Sequence, residues 1–261
     1  MDDILRKYPR TPHLEGSGLQ KGDAESDRVA FVEIAGKRLV VEEKLDGANV
    51  GIWFDSRGQV VTQSRGHALT GGAGEAQFAL LKTWVSVHQS RLWDILGARY
   101  ILYGEWLYAK HTVFYDALPH YLMEFDLLDR ETGDFLSTER RREMLVGSPV
   151  VSVPVVHTGV VRRLKDLTAL VKPSLYKTAN WRESLHAAQD ATGATFGANE
   201  TDDSDLSEGL YIKWEENGIV RGRYKWVRGA FVQTILDSGT HWRDRVVVPN
   251  GLRSDVDIFR L

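Results

Sequence analysis

The chain has no cysteine, so neither a disulfide nor a thiolate metal site can be built from it. It has no long apolar run: Met1-Asp2-Asp3-Ile4-Leu5-Arg6 carries charge where a signal sequence is apolar, and no stretch approaches bilayer-spanning length. It also lacks an excess of positive charge. With 33 Lys and Arg against 36 Asp and Glu, the net charge is −3, which excludes tight, sequence-blind capture of nucleic acid by massed cations. Any nucleic-acid contact must therefore be local. Proline is sparse, 7 in 261 residues, and neither an internal repeat nor a low-complexity tract is present. What remains is the expectation of a cytoplasmic protein with no membrane partner and, at 43% hydrophobic residues, ample material for a core.

What is present is a succession of short strands broken by amphipathic helices. Residues 7–18 contain Pro9, Pro12, Gly16 and Gly18 and read as an ordered loop, with His13 a hydrogen-bonded member of it and not a ligand. Alternation predicts a hairpin of strands 29–34 and 38–43 through Ala35-Gly36-Lys37, and a second of 49–54 and 59–64 over Asp55-Ser56-Arg57-Gly58. Phe78, Leu81, Trp84, Val85, His88, Leu92 and Ile95 predict one long helix across 75–96, with His88 a satisfied residue of its buried face. Strands follow at 100–108 and 120–128. Ser137-Thr138-Glu139 starts a helix whose Arg140-Arg141-Arg142 run reads as a solvated face. The β-branched stretch 150–161, interrupted by Pro154, predicts short or edge strands, and helical patterns return at 164–171 and 173–189. Residues 190–207 are acidic and poor in apolar residues, the pattern of a mobile loop. Strands 208–214 and 219–227 form a last hairpin, followed by a short helix at 230–236. Antiparallel hairpins interrupted by helices belong to the α+β class.

The chain is organised around Lys44-Leu45-Asp46-Gly47-Ala48-Asn49. A lysine at a strand end, before a glycine that permits a turn, sits either on a pocket floor or on the surface ahead of a tight turn. On a pocket floor it is a nucleophile once burial or a neighbouring cation favours the neutral amine. Four further segments follow: Tyr103-Gly104-Glu105-Trp106, Met123-Glu124-Phe125-Asp126, Ser207-Glu208-Gly209-Leu210-Tyr211-Ile212-Lys213, and Arg223-Tyr224-Lys225-Trp226-Val227. In this order the five resemble the nucleotidyltransferase motifs of covalent polynucleotide ligases and RNA capping enzymes. The likeness is nearest to RNA ligase 2-type enzymes, in which an asparagine follows the motif glycine by two positions, as Asn49 does. It covers roughly residues 40–227.

The resemblance implies an ATP-grasp-like nucleotidyltransferase fold, with antiparallel sheets and flanking helices around one pocket, and an ATP-dependent RNA ligase using Mg²⁺ or Mn²⁺. Lys44 would be adenylylated with release of pyrophosphate, AMP would pass to a 5′-phosphate, and a 3′-hydroxyl would displace it. Such transfers rest on positioning and electrostatics, so Lys213, Arg223 and Lys225 are the expected phosphate cations. Here the chain departs from the family, which more often has lysine where Arg223 stands. Glu208 would hold the metal; without the other motifs it reads as a loop acid. Glu105 would reach the ribose or form an internal salt bridge, Phe125 would stack on the purine or serve as core, and Asp126 would be a nearby structural acid. Glu43 would accept from the adenine amino group or be a strand-end acid facing solvent. Arg65 would contact phosphate or be a turn residue, and Asn49 would act in sealing or in the turn. Trp106, Lys110 and His111 are singled out only by nearness to Glu105. Residues 1–261 read as a single domain; about 36 residues after Lys225 are too few for an OB domain, which sets the chain apart from a GTP-dependent capping-type guanylyltransferase. The same motifs also admit a DNA ligase or a catalytically idle nucleic-acid-binding module. The implied partners are RNA ends in RNA repair, in a nicked duplex or RNA–DNA hybrid, with a protein partner left open.

Overall fold

Backbone alternation sends every second residue of the central strands into the gap between two sheets, and the charged residues of those strands collect there. The computed structural model describes residues 3–20, 22–23, 28–194, 200–238 and 246–260. In chain order the strands are β1 (His13–Leu14), β2 (Arg28–Val29), β3 (Arg38–Lys44), β4 (Ala48–Phe54), β5 (Val60–Ser64), β6 (Tyr100–Trp106), β7 (Leu122–Asp129), β8 (Val151–Ser152), β9 (Val155–Val160), β10 (Gly209–Glu216) and β11 (Ile219–Val227). The helices are α1 (Ala79–Val87), α2 (Gln89–Leu96), α3 (Thr138–Leu145), α4 (Leu164–Thr168), α5 (Trp181–Thr192) and α6 (Gly229–Ser238). One sheet has the order β2-β1-β11-β10-β3-β9, the other β5-β4-β6-β7-β8. Pairing is antiparallel except where β1 joins β2 and β11, and where β7 joins β8, so the α+β expectation holds.

In the first sheet, Leu39, Val41, Leu210 and Ile212 point outward into a core completed by Leu14, Ile34 and α4. Their neighbours Glu42, Lys44 and Lys213 point inward, as the period of two requires. The second sheet buries its far face under α1 and α2, through Leu81, Trp84 and Leu92 against Ile52, Leu102 and Leu127. Between β3 and β4 the chain changes sheets. The Lys44–Asn49 motif is that crossover, and it therefore lies at the mouth of the inter-sheet gap.

Several sequence expectations are corrected. Residues 31–33 form a 3-10 turn, not a strand, because Phe31 and Ile34 bury together on one side and the Glu15 carboxylate accepts from the Phe31 amide at 2.9 Å. The long helix breaks at His88, whose backbone leaves helical geometry while its buried ring lies 5.1 Å from Trp84; its Nε2 lacks a hydrogen-bond partner among the described residues. Residues 173–180 are not helical: Ser174 and Leu175 turn toward Glu43, and the helix begins at Trp181. Arg140 and Arg142 are exposed as expected, whereas Arg141 is fully buried between the sheets. The acidic stretch is held where it is described: Asp202 is buried and accepts from Arg228, and the Asp202 amide donates to Thr112 O at 2.9 Å. Residues 195–199 of that expected loop lie outside the described residues. The edge-strand reading of 150–161 is met, β8 and β9 each ending a sheet.

Candidate active site

A cavity of about 470 Å³ opens between the sheets, within the range of small-molecule sites. Of the residues singled out by sequence, Glu43, Lys44, Asn49, Arg65, Glu105, Phe125, Glu208 and Lys225 line it. Lys44 ends β3 with Glu208 beside it, because the next residue, Gly209, pairs with Lys44 across the β3–β10 ladder. Lys44 Nζ donates to Glu208 Oε2 at 2.7 Å, and with a quarter of its side chain exposed (25%, against 4% for Glu208) it is reachable from the cavity. Burial alone would favour the neutral amine, but Glu208 and Glu105 outweigh it and raise the lysine pKa. The resting site thus holds an ammonium, against the expectation that burial neutralises it.

The carboxylates show the reverse effect. Burial pushes Glu105 up to about 8 and Glu208 up to about 7; Lys44 opposes the rise in both, and the neighbouring acids reinforce it. Glu105 forms no ion pair among the described residues. It accepts from the Gly47 amide at 3.1 Å and faces the cavity. Gly47 is required here, since a Cβ would lie 2.6 Å from Trp106 O. Asp46 fixes the same turn: Oδ2 accepts from the Thr112 and Val113 amides at 2.7 Å each, while its own amide donates to Tyr115 Oη at 2.8 Å. That anchoring brings His111 and Thr112 into the cavity wall; Trp106 and Lys110 are buried beside it.

Glu43 is not on a solvent face. It is 4% exposed, its carboxyl accepts from Ser174 Oγ at 2.6 Å, and burial raises its pKa. Asn49 Oδ1 is buried and has no hydrogen-bond partner among the described residues. Lys225 faces the cavity with its pKa lowered by burial and by Lys44. His13, hydrogen-bonded to Ser17 and Asp23 as expected, is held down to about 4 by burial and by Lys225.

Lys213 and Arg223 do not join this group. Lys213 is fully buried behind Phe125, paired with Glu42 at 2.9 Å and Asp126 at 3.1 Å and donating to Phe125 O. Arg223 lies against the Tyr8 and Phe135 rings, its Nη1 3.8 Å from Asp126. Sequence reasoning missed Tyr8 and Tyr211, which line the cavity with Phe125. The signal in Tyr211 was its inward parity in β10; Tyr8 sits in a proline-rich loop whose pattern carries none. Ile235 and Ser238 of α6 also reach the rim.

The cavity therefore has a charged end, with Lys44, Glu105, Glu208, Lys225 and Arg65, and an aromatic end, with Tyr8, Phe125 and Tyr211. Among the described residues no group of three or more side chains could by itself hold a metal ion. The donor set nevertheless suits Mg²⁺ or Mn²⁺, which take one or two carboxylates and complete their shell with water and phosphate.

Comparison with solved structures finds the same fold. Naegleria gruberi RNA ligase with PPi is 16% identical, with a TM-score of 0.53 over 91% of this chain and 62% of that one. An alanine variant of the same enzyme with ATP and Mn is 15% identical, with a TM-score of 0.53 over 89% and 63%. An archaeal ATP-dependent RNA ligase is 18% identical, with a TM-score of 0.50 over 87% and 49%. This chain thus spans between about half and 63% of the length of these relatives. No curated protein matches it at the level of sequence. The RNA ligase family model matches residues 37–227, a span that starts just before β3, ends with β11 and contains all five motifs, so the chain belongs to the RNA ligase family.

Proposed function

We propose that this chain is the nucleotide-charging and sealing unit of an ATP-dependent RNA ligase acting in RNA repair. The observation that carries the reading is Lys44 Nζ, 2.7 Å from Glu208 and exposed to a cavity with one charged and one aromatic end. A purine nucleotide has that same polarity. The base would rest on Phe125, the ribose would reach Glu105, and the phosphates would face Lys44, Lys225 and Arg65.

Lys44 Nζ, a quarter exposed to the cavity, would give up a proton to water there and form a bond to the α-phosphorus of ATP as the bond from phosphorus to the pyrophosphate oxygen breaks. AMP would then move to the 5′-phosphate of an RNA strand, and a 3′-hydroxyl would displace it, with Asn49 Oδ1, an acceptor without a partner among the described residues, available to that step. Glu208, with Glu105 beside it, would hold a divalent cation, whose charge would offset that of the phosphates. Relatives of this fold are solved with ATP and Mn, which supports the nucleotide and the cation. Lys213 and Arg223, placed behind the wall, would position it. ATP as substrate fits a cytoplasmic protein.

Incubation with labelled ATP or GTP, then denaturing electrophoresis, tests the reading. The label from ATP should stay on the protein, be released by acid and vanish in Lys44→Ala. Label from GTP alone would make the chain a capping-type enzyme, and persistent label in Lys44→Ala would move the nucleophile elsewhere. Sealing of RNA, DNA and hybrid nicks by the charged protein then identifies the strand.

A further inference from the structure

The N-terminal loop and β11 meet behind the aromatic end of the cavity, at Tyr8 and Arg223. Arg223 and Lys225 lie two apart on β11 and share its inward face. Lys225 lines the cavity; Arg223 does not. The Arg223 guanidinium carbon is 4.0 Å from the centre of the Phe135 ring and 4.9 Å from that of Tyr8. Its charge faces Asp126, 3.8 Å from Nη1. Tyr8 in turn does line the cavity. Its ring meets Phe125 edge-on at 5.2 Å and Tyr103 at 5.0 Å. Its hydroxyl donates to Asp126 Oδ2 at 2.5 Å and touches the Tyr211 hydroxyl, which is itself 3.0 Å from the same carboxylate.

We propose that Tyr8 forms the closed end of the base subsite and that Arg223 is the positioning residue that holds it there, with no contact to phosphate. The inference rests on the nucleotide reading above and adds to it the residues that bound the base. It also gives the arginine at position 223 a task that a lysine would fill less well. The Tyr8 and Phe135 rings meet edge to face at 5.8 Å, and a broad, weakly hydrated guanidinium can touch both while keeping a nitrogen toward Asp126, which a compact, strongly hydrated ammonium does less well. Lysine suits a position that meets phosphate as a point charge; arginine suits one packed against rings. With Asp126 accepting from both tyrosines and facing the guanidinium, the N-terminal loop is tied to β7, β10 and β11 at one carboxylate.

The two roles separate by ligand. Adenosine has the base and ribose but no phosphate, so a residue acting on the base end affects adenosine and ATP alike. Binding of adenosine and of ATP should be titrated calorimetrically to the wild-type chain, Arg223→Lys, Arg223→Gln, Tyr8→Phe and the double variant Tyr8→Phe/Arg223→Gln, with thermal melts alongside. Both Arg223 variants should weaken the two ligands by the same factor, roughly three- to thirtyfold for a lost stacked cation. The double variant should be no weaker than the worse single one, and Tyr8→Phe, which keeps the ring, guards against loss of fold. Loss of ATP affinity with adenosine unchanged, wild-type affinity in Arg223→Lys, or additive losses in the double variant would each overturn the proposal. A wild-type chain that binds neither ligand would instead remove the nucleotide reading on which it stands.

Discussion

At the scale of single residues, the site is an electrostatic compromise. Three acids, Asp46, Glu105 and Glu208, surround one lysine, and burial leaves two of them with pKa values far above their ordinary 4.5. A carboxyl that keeps its proton in the folded state, while the unfolded chain has released it, makes folding less favourable as pH rises through the interval. For Glu105 that interval runs from about 4.5 to about 8. His13 and His120, each depressed to about 4 by burial, work in the opposite sense below about 6.5. The useful quantity is therefore a difference between two proteins. The melting temperature of Glu105→Gln minus that of the wild type should grow steadily from pH 5 to pH 8.5 in nucleotide-free protein without divalent metal. A flat difference would mean that Glu105 is ionised throughout. Lys44 was legible as a chemical residue; that its amine rests protonated follows from Glu208, 164 positions away in sequence.

At the scale of elements, register decides what the cavity contains. Lys44 and Glu208 are neighbours because β10 runs antiparallel to β3 with Gly209 opposite Lys44. Gly209 also passes so close to β11 that a Cβ would lie 2.0 Å from Trp226 O and 2.9 Å from Val227 Cα. Gly209→Ala must therefore push the two strands apart. The cost should reach at least the ~1–3 kcal/mol of ordinary overpacking, and Glu208 should move out of reach of Lys44. Chemical denaturation and ATP labelling check the two effects together; labelling kept at the wild-type rate would show that the strands absorb the methyl group. The hairpins 49–64 and 208–227 were readable from alternation and turn residues alone. The break at His88 and the 3-10 turn at Phe31 were not, because local propensity gives way there to the burial of particular rings.

At the scale of the molecule, the sheets are joined across the gap by charge as well as by apolar contact. Arg141 reaches from α3 to Glu124 of β7 at 2.5 Å and to Glu42 of β3 at 2.6 Å. Lys213 continues the chain of contacts from Glu42 to Asp126. Three acids (Glu42, Glu124, Asp126) thus meet three bases (Arg141, Lys213, Arg223), so the buried group is neutral as a whole. Removing one member strands a charge of the other sign. Arg141→Ala should lower unfolding free energy by about 3–5 kcal/mol, the range for a broken buried pair. Arg140→Ala, on the exposed side of the same helix, should change it by less than about 0.5 kcal/mol. Denaturant titrations of the two variants settle this, and equal effects would contradict the network.

By itself the sequence determined the α+β class, the strands that bear the motifs, and Lys44, Glu105, Glu208 and Lys225 as the residues of the charged end. They are announced together, by short motifs in a fixed order on strands that alternation marks out. Tertiary structure alone decided the rest: that Arg141 leaves its polar run to become the hub of the core, that Lys213 and Arg223 lie behind the wall instead of in it, and that Tyr8 from the N-terminal loop closes the aromatic end. These placements depend on which carboxylates and rings a charge meets across the gap between the sheets. Partners such as Arg223 and Tyr8, 215 positions apart, leave no periodic trace that a reading along the chain can recover.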